Sequence, residues 1–381
     1  MTPDHADTST SSFEVDDFTR NVYGVLGIPV DVVDMDTVLR GVENAALRAT
    51  PFLISTANLN FLIAGRSDAE LRESLLLSDL CTADGMPVVW MARLLGIPIT
   101  DRVAGSDMFE RLKSAPTSDR RLKVFLFGGP EGAAAAACKR INSKAGPIAC
   151  AGSFYPGFGT IEEMSSDSVI AAVNASNADF LIAALGAKKG QAWLLRNHHY
   201  VTIPIRAHLG AVINFEAGTV KRAPTRLQKW GLEWLWRIKE EPQLWQRYFR
   251  DSIALFRLFV TSVIPLLILG WWHKPGGGQN DQRLLIERTE NHKSVTLSIN
   301  GDAVAKNVER AVPHFREAAA TAKATIINLA GTRSIDARFF GLLLMLYKQL
   351  KKRNLRLEFT GVPPKIARLF RLNGFEFLLS N

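Results

Sequence analysis

Between Val22 and Phe215 short apolar runs alternate with stretches whose apolar residues recur every three or four positions. The short runs predict strands at Phe52–Thr56, Val124–Phe127, Phe180–Ala184 and Ile203–Ala207. The longer period predicts helices at Asp68–Ser78, Pro87–Leu95, Asp107–Lys113, Gly132–Ser143 and Gln191–Asn197. Strands that alternate with helices assemble into a parallel α/β sheet, because parallel neighbours need a crossover between them. Glycine marks three junctions, Asp84-Gly85, Gly128-Gly129 and Leu185-Gly186. Ligands bind such sheets at the carboxyl ends of the strands, so these turns are where chemistry is expected.

The pattern changes after Gly218. Residues 219–257 hold nine Lys and Arg against four Asp and Glu, with Trp230, Trp234, Trp236 and Trp245 interleaved. A basic, tryptophan-rich amphipathic segment suits an anionic lipid surface; packing of the tryptophans on their own domain is the alternative. The apolar run LFVTSVIPLLILGWW follows at Leu258–Trp272. Fifteen residues of helix reach only ~22 Å, short of a ~30 Å hydrocarbon core. Pro265 is expected to break the middle, and Trp271 and Trp272 to sit at headgroup level, so an anchor that dips into the membrane is expected rather than a span. A Gly-rich linker occupies 274–280. Strands at Val295–Ile299, Thr325–Leu329 and Arg356–Phe359, with helices at Phe339–Lys352 and Pro364–Leu372, then form a small α/β domain. The divisions are therefore a flexible tail at 1–17, an α/β domain at 18–218, a docking appendage at 219–257, an apolar anchor and linker at 258–280 and a second domain at 281–381.

Composition narrows the function. A chain of 381 residues accommodates two domains, and 47% hydrophobic with 22% charged residues excludes a largely disordered one. The net charge of +9 favours anionic partners, whether phosphorylated substrates, nucleic acid or an acidic membrane face. Cys81, Cys138 and Cys150 form no CxxC pair, so neither a disulfide framework nor a thiolate zinc site is expected. The polar, acidic N-terminus lacks the basic start and apolar run of a secretory signal, which points to the cytoplasm.

Several chemistries can be set aside. Asp34-Met35-Asp36 has the form of a metal-binding DxD, but Asp36 stands where it would cap a helix starting at Thr37. No GxSxG, GKS/T or HExxH occurs. What remains is Thr56-Ala57-Asn58 at a strand end, Asp84 in an Ala-Asp-Gly turn, and Arg102 opening the run RVAGSD. A carboxylate facing an arginine and a helix N-terminus suits transfer from a diphosphate: the base takes a hydroxyl proton while the cationic groups receive the departing charge.

Eight motifs occur in one order: TxN, ADG, RVAGSD, FGG, YPGFG (Tyr155–Gly159), LGAKKGQAW (Leu185–Trp193), GAVINFEAG (Gly210–Gly218) and KRAP…GLEW…EP…RY (Lys221–Tyr248). In this the chain resembles the WecG/TagA/CpsF glycosyltransferases over roughly Val22–Arg250. The resemblance implies a Rossmann-like parallel sheet and a metal-independent inverting transfer without a cofactor. It implies a hexose or N-acetylhexosamine moved from a UDP-sugar to a polyprenyl-diphosphate-linked sugar at the cytoplasmic membrane face, as in exopolysaccharide or surface-glycan synthesis, with no nucleic-acid partner. It puts Asp84 at the base position, with Thr56, Asn58 and Arg102 beside it. Gly128, Gly129, Gly186, Lys189, Gln191 and Asn214 fall at donor positions. Lys221, Arg222, Arg226, Arg237, Arg247 and Arg250 fall on the side of the acceptor and the anionic membrane surface.

Two motifs depart from the family pattern. The usual L-G-x-P-K-Q-E-x-W carries Gly190 and Gln191 at its Gln and Glu, with Lys188 at its Pro, and the usual F-D-F reads Ile213-Asn214-Phe215. The pocket is thereby expected to be less negative, either for a different donor or, as the alternative, in a weakened transferase-like scaffold acting through its second domain. That domain resembles a STAS domain over Arg283–Leu379, which implies a protein partner. Ala337 stands where phosphorylated members carry serine, so a phosphoswitch there is excluded for want of a hydroxyl.

Overall fold

A computed structural model of the chain describes residues 16–116, 120–272 and 284–380. The expected tail up to 15 and the linker at 274–280 lie outside the described residues, as do the side chains of Trp271 and Trp272.

A hairpin comes first, β1 (Val22–Val25) and β2 (Ile28–Asp31), joined by Leu26 and Gly27 with φ of 47° and 109°. Two positive φ angles in a two-residue turn match the twist of paired strands. Six parallel strands follow: β3 (Phe52–Ala57), β4 (Leu80–Ala83), β5 (Leu122–Gly128), β6 (Ile148–Phe154), β7 (Phe180–Ala184) and β8 (Ile205–His208). Their order is β4-β3-β8-β7-β5-β6. The chain thus moves from β3 to one edge, then to the other, and fills the centre last. Both faces are covered, which is why the strands read as continuous apolar runs. Ile54, Val124, Leu126 and Ile182 pack with helices Met35–Arg48, Gly105–Lys113 and Ala133–Asn142. Their neighbours Leu53, Phe125, Phe127 and Leu181 pack on the other face with Trp193 of helix Ala187–Arg196.

The sequence pattern does not predict β1, β2, β4 or β6. Leu-Cys-Thr-Ala in β4 is short, and β6 is rich in Ala and Gly, so neither carries a β-branched run. Two expectations are corrected. Asp34, not Asp36, caps the first long helix, accepting from the Thr37 N–H at 2.7 Å. Cys138 and Cys150 are joined as a disulfide across Cα atoms 5.2 Å apart, because the Ala133–Asn142 helix turns back onto β6.

The C-terminal domain is an α/β sandwich of β9 (Leu285–Glu290), β10 (Ser294–Ala303), β11 (Ala324–Asn328), β12 (Thr332–Ile335) and β13 (Leu357–Thr360). The order is β12-β10-β11-β13 in parallel, with β9 antiparallel to β10. Helix Ala337–Lys352 is covered by the first hairpin rather than by solvent. A Cβ on Gly341 would lie 1.9 Å from the Val22 carbonyl oxygen, and Arg338 donates to the carbonyls of Val22 and Arg20 at 3.0 and 3.2 Å. Lys348 is fully buried there and donates to Asp17 and to the Ser78 carbonyl, both at 2.8 Å. Asp17, at the end of the stretch assigned to the tail, is itself buried. Burial alone would raise its pKa, but Lys348 and Arg20 beside it hold it below the usual carboxylate range.

The apolar run is corrected too. Pro265 does not break it: a π-turn at Phe259–Val263 joins helix Trp245–Leu258 to helix Ile264–Trp272. The stretch Pro242–Leu269 is 28 residues of helix with mean hydropathy up to 2.2, long and apolar enough to cross a membrane. One face packs on the protein through Leu258, Ser262 and Val263. Its N-terminal half touches helix Leu59–Gly65 and its C-terminal half touches helix Pro364–Leu372. The opposite face carries Trp245, Phe249, Ile253, Phe256, Val260, Ile264 and Ile268, between 37% and 70% exposed. The two domains also bond directly to each other through Lys348 and Arg338.

The Lys348 contact carries a prediction. Lys348→Met leaves Asp17 buried with one cation fewer, and removing one partner of a buried pair costs about 3–5 kcal/mol. Denaturant unfolding of the full chain should show a clearly lowered midpoint. An unchanged midpoint would mean that the contact does not hold the domains together.

Candidate active site

A cavity of about 540 Å³ opens at the carboxyl edge of β3, β4, β7 and β8, within the range of small-ligand sites. Asp84 stands in it immediately after β4. Its N–H donates to the Ala57 carbonyl at 2.9 Å, and Gly85, with φ of 113°, turns the chain into helix Met86–Leu94. The Gly105 N–H at the start of helix Gly105–Lys113 hydrogen-bonds the carboxylate. Among the described residues no side chain caps that helix, which leaves its first N–H groups at the cavity edge. Gly105 must lack a side chain: a Cβ would lie 2.3 Å from Leu209 and 3.3 Å from Thr56. Burial pushes the Asp84 carboxyl up to about 6, Arg102 opposes this, and Glu233 and Asp107 add to it.

Thr56, the last but one residue of β3, is buried. The Asn58 side chain accepts from the N–H groups of Asn60 and Phe61 at 3.0 and 3.3 Å, capping the helix that follows. Arg102 donates to Asp107 at 2.6 Å and to Glu233 at 2.9 Å. Glu233 comes from helix Glu233–Glu240 in the appendage, so this ion pair fastens the appendage over the sheet edge. The same segment adds Trp234, Arg237, Arg247 and Tyr248 to the cavity lining. Among the described residues the buried Arg237 Nε has no hydrogen-bond partner, and its Nη2 pairs with Glu241 at 3.1 Å.

Asp84, Thr56, Asn58, Arg102 and Gly186 are therefore brought together, with Arg237 and Arg247. Other residues taken as donor-binding line no part of this cavity. Gly128 and Gly129 pack on Ala184 and Ile213, Lys189 donates to the Gly159 carbonyl at 3.0 Å, and Gln191 is buried against Ser55. Asn214 lies in helix Val212–Ala217 behind the wall. Lys188 sits on the surface, paired with Asp68 at 2.6 Å, and leaves the cavity's charge unchanged. Of the basic residues, Lys221, Arg226 and Arg250 are exposed, and Arg222 bonds Asp107 and Ser106. Sequence reasoning missed Glu233 and His208 as cavity residues. Glu233 sat inside the GLEW motif, while His208 carried no local signal.

Comparison with known proteins adds the chemistry's context. The chain is 27% identical over 210 residues to the N-acetylglucosaminyldiphosphoundecaprenol N-acetyl-beta-D-mannosaminyltransferase of Bacillus subtilis (strain 168), covering 55% of this chain and 79% of the relative. The enzyme of the same name from Bacillus spizizenii is 26% identical over 194 residues, covering 51% and 73%. That of Staphylococcus aureus (strain MW2) is 25% identical over 238 residues, covering 60% and 90%. Residues 286–380 match the family model described as Mlab, STAS domain, in agreement with the sandwich seen there. Residues 23–266, which hold the sheet, the cavity and the appendage that closes it, match the model of the Glycosyl transferase WecG/TagA/CpsF family, and the chain belongs to that family.

Proposed function

We propose that this glycosyltransferase moves a hexose or N-acetylhexosamine from a UDP-sugar to a polyprenyl-diphosphate-linked sugar, with inversion, at the cytoplasmic membrane face, in the synthesis of an exopolysaccharide or surface glycan. The observation that carries the reading is Asp84, a carboxyl tuned to about 6 at the strand ends, against a helix N-terminus and inside an arginine-bearing cavity. The relatives' names supply the substrate class: an N-acetylmannosaminyl group and an acceptor of N-acetylglucosaminyl-diphospho-undecaprenol. The same carboxyl and cavity favour an active enzyme over a weakened scaffold.

In this mechanism the Asp84 carboxylate takes the proton of the acceptor hydroxyl as its oxygen attacks the anomeric carbon of the donor. The bond from that carbon to the diphosphate breaks on the opposite side, and UDP leaves with the electron pair. Arg102, Arg237 and Arg247 all line the cavity, each beside a carboxylate, and together with the N–H groups opening helix Gly105–Lys113 they receive the diphosphate charge. The exposed apolar stripe of the 245–272 helix enters the headgroup region, and Lys221, Arg226 and Arg250 attract anionic lipid. The acceptor's lipid chain stays in the bilayer while its sugar reaches Asp84. Because helix Ala337–Lys352 is occupied within the chain, a protein partner of the STAS-like domain would use the exposed edge of β9.

Two outcomes follow. Asp84→Asn should keep the fold and lose ~10²–10⁴-fold in transfer, read as UDP release with a lipid-diphosphate-sugar acceptor; near wild-type turnover would remove Asp84 as the base. Reversing Lys221, Arg226 and Arg250 to glutamate should weaken binding to phosphatidylglycerol liposomes by about 1 kcal/mol or more per residue and make it more salt-sensitive, while transfer to a short-chain soluble acceptor persists. Liposome binding equal to wild type would place the docking surface elsewhere.

A further inference from the structure

His208 has no part in the mechanism above, yet it lines the cavity. It ends β8, the strand beside β3, and is 8% exposed. Two glycines make room for its ring. A Cβ on Gly190 would lie 2.1 Å from its Cδ2 and 2.9 Å from its Nε2, and one on Gly210 would lie 3.3 Å from its Cε1. Position 190 is where the family pattern carries glutamine, and any side chain there would displace the imidazole. A polar group from the strand thus fills space that the pattern gives to a polar group from the helix.

The ring is costly as filler. Its Nε2 is buried without a hydrogen-bond partner among the described residues. An unsatisfied buried polar atom costs about 1–3 kcal/mol, which an aliphatic side chain of similar size would avoid. A ligand that supplies the missing bond removes this cost. Burial holds the imidazole neutral, with its pKa lowered to about 4. A neutral ring nitrogen pairs with an uncharged donor or acceptor and brings no charge for a diphosphate.

We propose that the His208 Nε2 hydrogen-bonds a hydroxyl or acetamido group of a bound sugar and so helps to set which sugar this enzyme accepts. The inference rests on the transferase reading above. It adds a specificity residue outside the motifs, made possible by Gly190.

The test uses the full-length protein, with His208→Leu to remove the bond and His208→Asn to restore part of it. Affinities for UDP and for UDP-glucose, UDP-N-acetylglucosamine and UDP-N-acetylmannosamine are measured by calorimetry, together with KM and kcat for donor and acceptor. His208→Leu should lose about tenfold or more in kcat/KM while its affinity for UDP alone stays near wild type and its melting temperature does not fall, and His208→Asn should recover part of the loss. A KM effect confined to the donor or to the acceptor assigns the sugar. Wild-type kcat/KM in His208→Leu on every donor, or an equal loss of UDP affinity, would overturn the inference alone. A wild-type protein that neither binds a UDP-sugar nor releases UDP would overturn the transferase reading with it. Should His208→Leu not fold, the exchange Gly190→Gln with His208→Gly refills the same volume. It should change the ranking of the three donors, and an unchanged ranking would overturn the inference.

Discussion

The ion pairs of Arg102 hold this site together. One guanidinium joins Asp107, in the helix that starts at the sheet edge, to Glu233, in the appendage beyond the sheet. Arg222 of the appendage adds a second tie, bonding Asp107 and Ser106 at the start of the same helix. With these ties, Asp84 is enclosed, two further carboxylates lie near, and its proton affinity rises into the range a general base needs near neutral pH. Arg237 and Arg247 of the appendage, paired with Glu241 and Asp251, line the same cavity as Arg102. The appendage supplies part of the cavity wall itself.

A second constraint comes from the packing of the two domains. Lys348, Arg338 and Gly341 bring helix Ala337–Lys352 against the first hairpin so closely that no partner protein fits between. The long apolar helix leans on both domains at once and leaves a single stripe uncovered. Length and hydropathy alone would allow that helix to cross a bilayer. Its contacts with both domains leave that stripe facing outward, which under the proposed function is the face that would meet lipid.

Much of this was legible in the sequence, for identifiable reasons. β7 matches its predicted limits residue for residue, and the helices placed at Asp68–Ser78 and Pro364–Leu372 follow from their period, the first to within a residue at each end. Asp84, Thr56, Asn58 and Arg102 could be grouped because strand ends of a parallel sheet converge on one edge. β4 and β6 were hidden because short, Ala- and Gly-containing strands owe their conformation to their neighbours. The Cys138–Cys150 bond depends on a helix folding back on a strand, which spacing does not reveal. Arg237 and Arg247 read as membrane residues because local charge cannot tell an outward face from one folded over a cavity. His208 was invisible for a similar reason: its significance lies in the missing side chain at Gly190, and the two meet only in three dimensions.

The central claim is that an enclosed Asp84, in its ionised form, is the base for sugar transfer, and the pH dependence of kcat/KM tests it most directly. Because the group must be deprotonated to act, activity should rise with pH through about 6 and level off above it. Glu233→Gln removes a negative neighbour that raises the pKa, so the rising limb should move to lower pH in that variant. A profile that is flat from about pH 5 to 8, or a limb that survives unchanged in Asp84→Asn, would contradict the account.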